Sequence, residues 1–170
     1  YLDEAGVEAL GMAPVEPLLN AVRAIDSRKA YLAYAPVAAR NGVRGLFAGF
    51  VDQDNKDPDT YIFKIYQGGT GLPDRDMYLV DNEKFAAIRT AYKQYLTDML
   101  ALAGEGNAEA RANAIFDMEK SIAEVHWKRE DSSDSAKTYN KMTLAQLDEA
   151  APALKLSAVL PAISPKIGDV

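Results

Sequence analysis

His126 is the only histidine among the 170 residues, and Glu119 stands seven residues before it. An imidazole and a carboxylate are common means of acid–base work or metal ligation. Seven residues is two helical turns, which places both on one face but about 10 Å apart along the axis. One zinc ion cannot take direct ligands from both while the helix stays regular. The competing reading is structural. His126 sits at a core edge beside Trp127, and Glu119 pairs with Arg75 or Arg129, because a carboxylate on an apolar face is costly unless paired. The residue pattern favours this second reading.

Two other stretches invite a ligand. Asp52, Asp54, Asp57 and Asp59 crowd one connection and suggest calcium. The EF-hand pattern, however, needs a central glycine and a closing glutamate. Neither is present, so a solvated acidic loop is expected. Gly68, Gly69 and Gly71 followed by Pro73 suggest a phosphate cradle. No Gly-Lys-Ser/Thr follows, and the spacing is not Gly-x-Gly-x-x-Gly at a helix start. A shaped structural corner is expected instead, with Arg75 between Asp74 and Asp76 pinning it through charge-assisted hydrogen bonds.

The common catalytic sets are missing. One histidine excludes His-Glu-x-x-His within these residues, there is no Gly-x-Ser-x-Gly, and with no cysteine there is neither a Cys–His pair nor a thiolate metal site. No pair of carboxylates can be singled out as a glycosidase-type acid pair. No catalytic, cofactor-binding or metal-binding residue is therefore assigned.

The elements that carry these residues read as mainly helical. Asp3 caps a first short helix with Val7 and Leu10 as its apolar side, ended by Gly11. Leu18, Leu19, Val22 and Ile25 recur at helical spacing in a second. Asp26-Ser27 opens a third, striped by Ala30, Tyr31, Tyr34, Val37 and Ala38 and stopped at Asn41-Gly42, with Pro36 a candidate for a kink or a delayed start. The period then changes. Gly45–Val51 and Thr60–Tyr66 favour strand and predict one β-hairpin over about residues 45–66. Beyond the corner, Asp81 is the expected cap of a long helix with Phe85, Ile88, Tyr92, Tyr95, Leu96, Met99 and Leu102 as its stripe, ended by Gly104. Asn107 is expected to cap another, striped by Ala112, Ile115, Met118, Ile122 and Val125. The short connection predicts a helical hairpin. Helix signals fade over Arg129–Ser135. Thr143 and Gln146 form a capping box for a short helix to Ala150. Pro152 interrupts, and Leu156–Ile163 is a last apolar stretch closed by Pro165. Six or seven helices and one hairpin result, with no alternation of strands and helices to support a parallel sheet.

Composition bounds the function. A chain of this length buries about 70% of its unfolded surface, and 48% hydrophobic with 26% charged residues is a globular balance. The net charge of −6 argues against nucleic acid as a partner. No apolar run approaches the roughly 20 residues of a membrane span. The chain opens on Tyr1 rather than Met, so we read it as a section of something longer.

Three blocks carry a resemblance. Gly71-Leu-Pro-Asp-Arg-Asp-Met-Tyr78 resembles the Gly-Leu-Pro-x-Arg-Asp-Tyr-Tyr block of the neprilysin and endothelin-converting enzyme family of zinc metallopeptidases. Tyr139-Asn-Lys-Met-Thr-Leu-Ala-Gln146 is similar to that family's Tyr-Asn-x-Met-Thr block. Met118-Glu-Lys-Ser-Ile-Ala123 and Arg129-Glu-Asp131 match a helix and an Arg-Asp element between them. The opening, Leu2-Asp-Glu through Gly11-Met-Ala-Pro14, and Gly45-Leu-Phe47 also fit, so nearly the whole chain is covered. Met77 stands where the family usually has Tyr, and the cysteines of animal members are missing, which points to a bacterial-type member.

The resemblance implies a part of an enzyme. Residues 1–170 would be one piece, a section of the N-terminal, non-catalytic helical lobe that covers the active-site chamber and restricts entry to short peptides. The partner would be the C-terminal catalytic lobe of the same polypeptide. That lobe would carry His-Glu-x-x-His and the Zn2+, with zinc-activated water attacking a peptide carbonyl. This section would have no chemistry and no metal of its own. A periplasmic or otherwise extracytoplasmic setting is favoured over a cytoplasmic one. Two alternatives stand beside this: a free-standing acidic helical binding or scaffold module, and an independent enzyme using the loop acids and His126. Arg75 is expected to be at least half buried and bonded to a carboxylate, with Glu119 or Asp131 as candidates.

Overall fold

The computed structural model describes residues 3–43, 45 and 47–163. The expected contributions of Leu2 and Leu46, and the stop at Pro165, lie outside the described residues. Within them the protein is mainly α, as predicted, with ten helices and a single two-stranded antiparallel sheet. Three of the helices are four-residue turns, so seven longer ones remain.

Local chemistry sets most boundaries. In α1 (Glu4–Leu10), Asp3 accepts from the Gly6 N–H. α2 (Glu16–Arg23) carries Pro17 in its first turn, where a missing N–H costs nothing. In α3 (Arg28–Arg40), Ser27 accepts from the Ala30 N–H, and the buried Pro36 lies inside a helix whose start it does not delay. β1 (Phe47–Gln53) and β2 (Tyr61–Gln67) pair from Phe47↔Gln67 to Gln53↔Tyr61. The short α4 (Asp76–Leu79) leads to α5 (Glu83–Leu102) and α6 (Ala108–Val125). α7 (Arg129–Ser132) and α8 (Ser135–Thr138) are single turns. α9 (Leu144–Ala150) begins with the predicted Thr143–Gln146 capping box, and α10 (Leu156–Ile163) follows.

Several expectations are corrected. Asn82, not Asp81, caps α5, accepting from the Phe85 N–H. Asp81 instead takes Arg89 at 3.1 Å. Asn107 is the N-cap residue of α6, but in the left-handed region (φ 54°) and without a side-chain cap bond. Where helix signals fade, over Arg129–Ser135, one turn still forms, and Asp134 caps a second over Ser135–Thr138. The expected stripe on α6 is rotated. Its buried line is Ala112, Phe116, Glu119 and Ala123, while Met118 and Val125 are 58% and 79% exposed. Adjacent helix positions differ by about 100°, so a one-residue offset turns a different face inward. On α5, Tyr95, Met99 and Leu102 are likewise outside. On α1, Val7 and Leu10 leave their apolar side bare.

The interior is divided into two clusters. Leu72, Tyr78, Phe116 and Ala123 form one, under the corner and between α5 and α6. Phe63, Leu156 and Leu160 form the other, where the inner face of the hairpin meets α9 and α10. Arg40 of α3 donates to the Ala162 carbonyl, and Asp148 of α9 accepts from the Ser157 N–H and O–H of α10. Arg23 of α2 donates to Glu105 at 2.9 Å and to the Ala103 carbonyl at 3.0 Å, tying the amino-terminal helices to the α5–α6 connection.

Candidate functional site

The glycine–proline corner that the sequence singles out is a densely bonded junction. Asp74 accepts from the Asp76 N–H at 2.9 Å and starts α4, an Asx-type bond that bends the chain without help from glycine. Arg89 of α5 donates to the carbonyls of Met77 (3.2 Å) and Val80 (2.9 Å), closing the far end of the same short helix. Arg75 is mostly buried, as predicted, and is bonded to a carboxylate, but to neither candidate. It reaches Asp76 at 3.2 Å and donates through Nε to the Ala123 carbonyl at 3.2 Å. That carbonyl is one of the last in α6, where intrahelical partners run out and a cation is favourable. Asp131 pairs with Lys137 instead.

Glu119 takes no arginine. Its carboxylate accepts from the Tyr78 hydroxyl at 2.7 Å and the Tyr92 hydroxyl at 2.9 Å. The Tyr78 oxygen accepts in turn from the Leu72 N–H at 2.8 Å. Burial, with the Glu119 carboxylate adding to it, pushes both phenols well above their ordinary pKa, so they stay protonated donors. Gly71 is required here. A Cβ at that position would lie 1.9 Å from the Tyr92 hydroxyl oxygen. The block Gly71–Tyr78 thus folds as one bonded unit: a gap for Tyr92, a donor at Leu72, the start of α4 at Asp74, a donor to the end of α6 at Arg75 and an anchor at Tyr78. Glu119 is 8% exposed.

His126 ends α6 and stands apart from Glu119. Its Nε2 lies 3.0 Å from the Gly68 carbonyl. A carbonyl only accepts, so Nε2 carries the proton and donates. This is the core-edge role.

The acidic connection is largely exposed, as expected, except at Asp54, which is docked. Asp54 is 2% exposed. It accepts from the Lys56 N–H at 2.9 Å, the Lys141 amine at 3.0 Å and the Tyr139 hydroxyl at 2.9 Å. Those donors, the Lys56 N–H foremost, outweigh burial and hold its carboxyl down at about 2. The same bond pushes the Tyr139 phenol up. Asp52 takes Lys64 and Asp57 takes the Thr60 hydroxyl, at 2.8 and 2.7 Å. The acids point to separate partners. Among the described residues no group of three or more His, Cys, Asp or Glu side chains could hold a metal ion, so the residues present do not fit zinc.

What the sequence did not reveal is a cleft of about 440 Å³ beside the hairpin. Ile62, Met142 and Leu147 give it an apolar lining, and Tyr66 and Trp127, both half-exposed, stand among its walls. Its size is within the usual range of ligand pockets. Tyr139, Asn140, Lys141 and Met142 supply one wall.

With the geometry in place, comparisons with known proteins give the family. The N-terminal model of Peptidase family M13 matches residues 1–169. Human endothelin-converting enzyme-like 1 is 32% identical over 112 residues, covering 65% of this chain and 14% of the relative. The endothelin-converting enzyme homolog of Locusta migratoria is 34% identical over 116 residues, or 66% of this chain and 16% of that protein. Among solved structures, the open state of the Mycobacterium tuberculosis zinc metalloprotease Zmp1 superposes with a TM-score of 0.87 at 26% identity, covering 99% of this chain and 27% of that one. PepO of Lactobacillus rhamnosis shares the fold, with a TM-score of 0.77 at 21% identity. The chain spans about a seventh of the length of the curated relatives and about a quarter of the solved ones. Matched along almost all of its residues, the chain belongs to Peptidase family M13, the neprilysin-type metallopeptidases, as a section of their N-terminal region.

Proposed function

We propose that these residues form part of the helical lobe that covers the active-site chamber of a zinc endopeptidase and limits entry to short peptides. The bond-breaking groups and the zinc belong to the catalytic lobe of the same parent polypeptide. The observation that carries this reading is the family match over residues 1–169. The side chains that could have done chemistry here support it, because each is committed to holding the fold. Glu119 is closed in by two phenols, His126 by a backbone carbonyl and Asp54 by Lys141. What this section supplies is shape: a wall stiffened by the corner and by the α5–α6 pair.

The test starts with the parent gene, whose reading frame should continue into His-Glu-x-x-His. The purified parent should cleave short peptides and lose that activity to a chelator, while residues 1–170 alone should neither bind stoichiometric zinc nor turn over peptide. Stoichiometric zinc with turnover in the isolated section would overturn the assignment. So would a parent that processes folded proteins as readily as short peptides.

A further inference from the structure

β2 lines the 440 Å³ cleft with Ile62 and then four successive residues, Lys64, Ile65, Tyr66 and Gln67, and β1 contributes none. Side chains alternate between the faces of a sheet. A cavity that touches four in a row therefore runs along the strand's edge rather than over one face. The hydrogen-bond phase agrees. The Asp54 N–H donates to the Thr60 carbonyl at 2.9 Å, and this pair continues the β1–β2 register. Bonded pairs recur at every second residue of an antiparallel ladder, so Ile62, Lys64 and Tyr66 turn their backbone groups to β1. Ile65 and Gln67 turn theirs outward. Among the described residues, no backbone group of another element bonds to either. The opposite wall is pinned at both ends. The Gln67 side chain exchanges two bonds with the Trp127 backbone, at 2.9 and 3.3 Å, and Tyr139 and Lys141 hold Asp54 at the other end. Phe50 stacks on Tyr66 with ring centroids 5.2 Å apart, and both are half-exposed.

We propose that an extended segment of the parent polypeptide, from outside these 170 residues, lies on the outer edge of β2 as a third strand. It bonds to the backbone of Ile65 and Gln67, and its flanks cover Tyr66, Phe50 and Trp127. This rests on the parent proposed above. An open strand edge beside bare aromatic rings is a surface that natural proteins cover. The chain spans 27% of the Zmp1 chain on which it superposes, so most of a comparable polypeptide lies outside it. A tethered segment reaches the edge at far higher effective concentration than a free partner does.

Amide exchange and photo-crosslinking on the full-length parent test this. With no peptide added, the Ile65 amide should exchange at least ~100-fold more slowly than its intrinsic rate, as paired strand amides do. p-Benzoylphenylalanine placed at Tyr66 should crosslink to a segment of the same molecule outside residues 1–170. Exchange within ~10-fold of the intrinsic rate would show a bare edge and overturn the proposal. Protection gained only on adding a short synthetic peptide would assign the edge to a ligand, protection lost on dilution would assign it to a second copy, and crosslinks confined to residues 127–142 would leave no added strand. Each of these also overturns it. Peptide cleavage by the same preparation is measured alongside. Cleavage with a bare edge sinks only the added strand, and a paired edge without cleavage sinks only the peptidase reading.

Discussion

Glu119 and Asp54 are both carboxylates withdrawn almost wholly from water, and they are stabilised by different means. Glu119 accepts from two phenols, Tyr78 and Tyr92, brought from the corner and from α5. Asp54 has a cation, Lys141, together with Tyr139 and the N–H of Lys56 in its own loop. Neutral donors stabilise a buried charge only if they are aimed at it and stay protonated. The Glu119 site therefore depends on shape, and Gly71 is part of that shape. The Asp54 site depends on charge, and it responds to acid. One joins three elements within a core; the other fastens the tip of the hairpin to the segment that walls the cleft.

The sharpest way to break this contrast is Glu119→Leu, which leaves two buried phenol donors without an acceptor. At about 1–3 kcal/mol for each stranded group, the loss should be about 2–6 kcal/mol in urea unfolding of the protein. A loss below about 1 kcal/mol would mean that water replaces the carboxylate, and the shape account would fail. Gly71→Ala should cost about 1–3 kcal/mol, because the new methyl displaces the Tyr92 hydroxyl. Its effect should shrink in a Tyr92→Phe background, since the two changes break the same bond. Unchanged cost there would place the strain elsewhere.

Arg75→Ala should cost about 1–3 kcal/mol by stranding the Ala123 carbonyl. Arg75→Lys should recover only part of this, since an ammonium lacks the guanidinium's fork. The smallest effect is at Asp54, and it is pH-dependent. Its ordinary pKa of 3.8 drops to about 2 in the fold. Below pH 4 the unfolded chain takes up this proton before the folded one does. The stabilisation is therefore complete above that range and is lost as pH falls toward 2. Asp54→Asn should flatten the fall of the urea midpoint between pH 4 and pH 2. An equally steep fall would show that other acids carry it.

Much of the architecture was legible from local rules. Asp3, Ser27 and Thr143 cap the helices they precede, the β-favouring runs pair, and the Gly71–Tyr78 block turns a corner, because each outcome is decided by atoms within a few residues. Composition and the three motif blocks were also enough to place the chain in its family. The partners of the buried charges were not legible. Opposite charge suggested Arg75 or Arg129 for Glu119, and solvation suggested an exposed Asp54. The fold chose Tyr78 and Tyr92 for one and Tyr139 with Lys141 for the other, from 27 to 87 residues away. The inward face of α6 was missed for the same reason: Ala112, Phe116, Glu119 and Ala123 are interior only because α4 and α5 pack there. Local sequence determined the elements and their ends through short-range hydrogen bonding and backbone freedom. Only the packed structure decided which faces and donors meet, because burial is a property of neighbours that arrive from elsewhere in the chain.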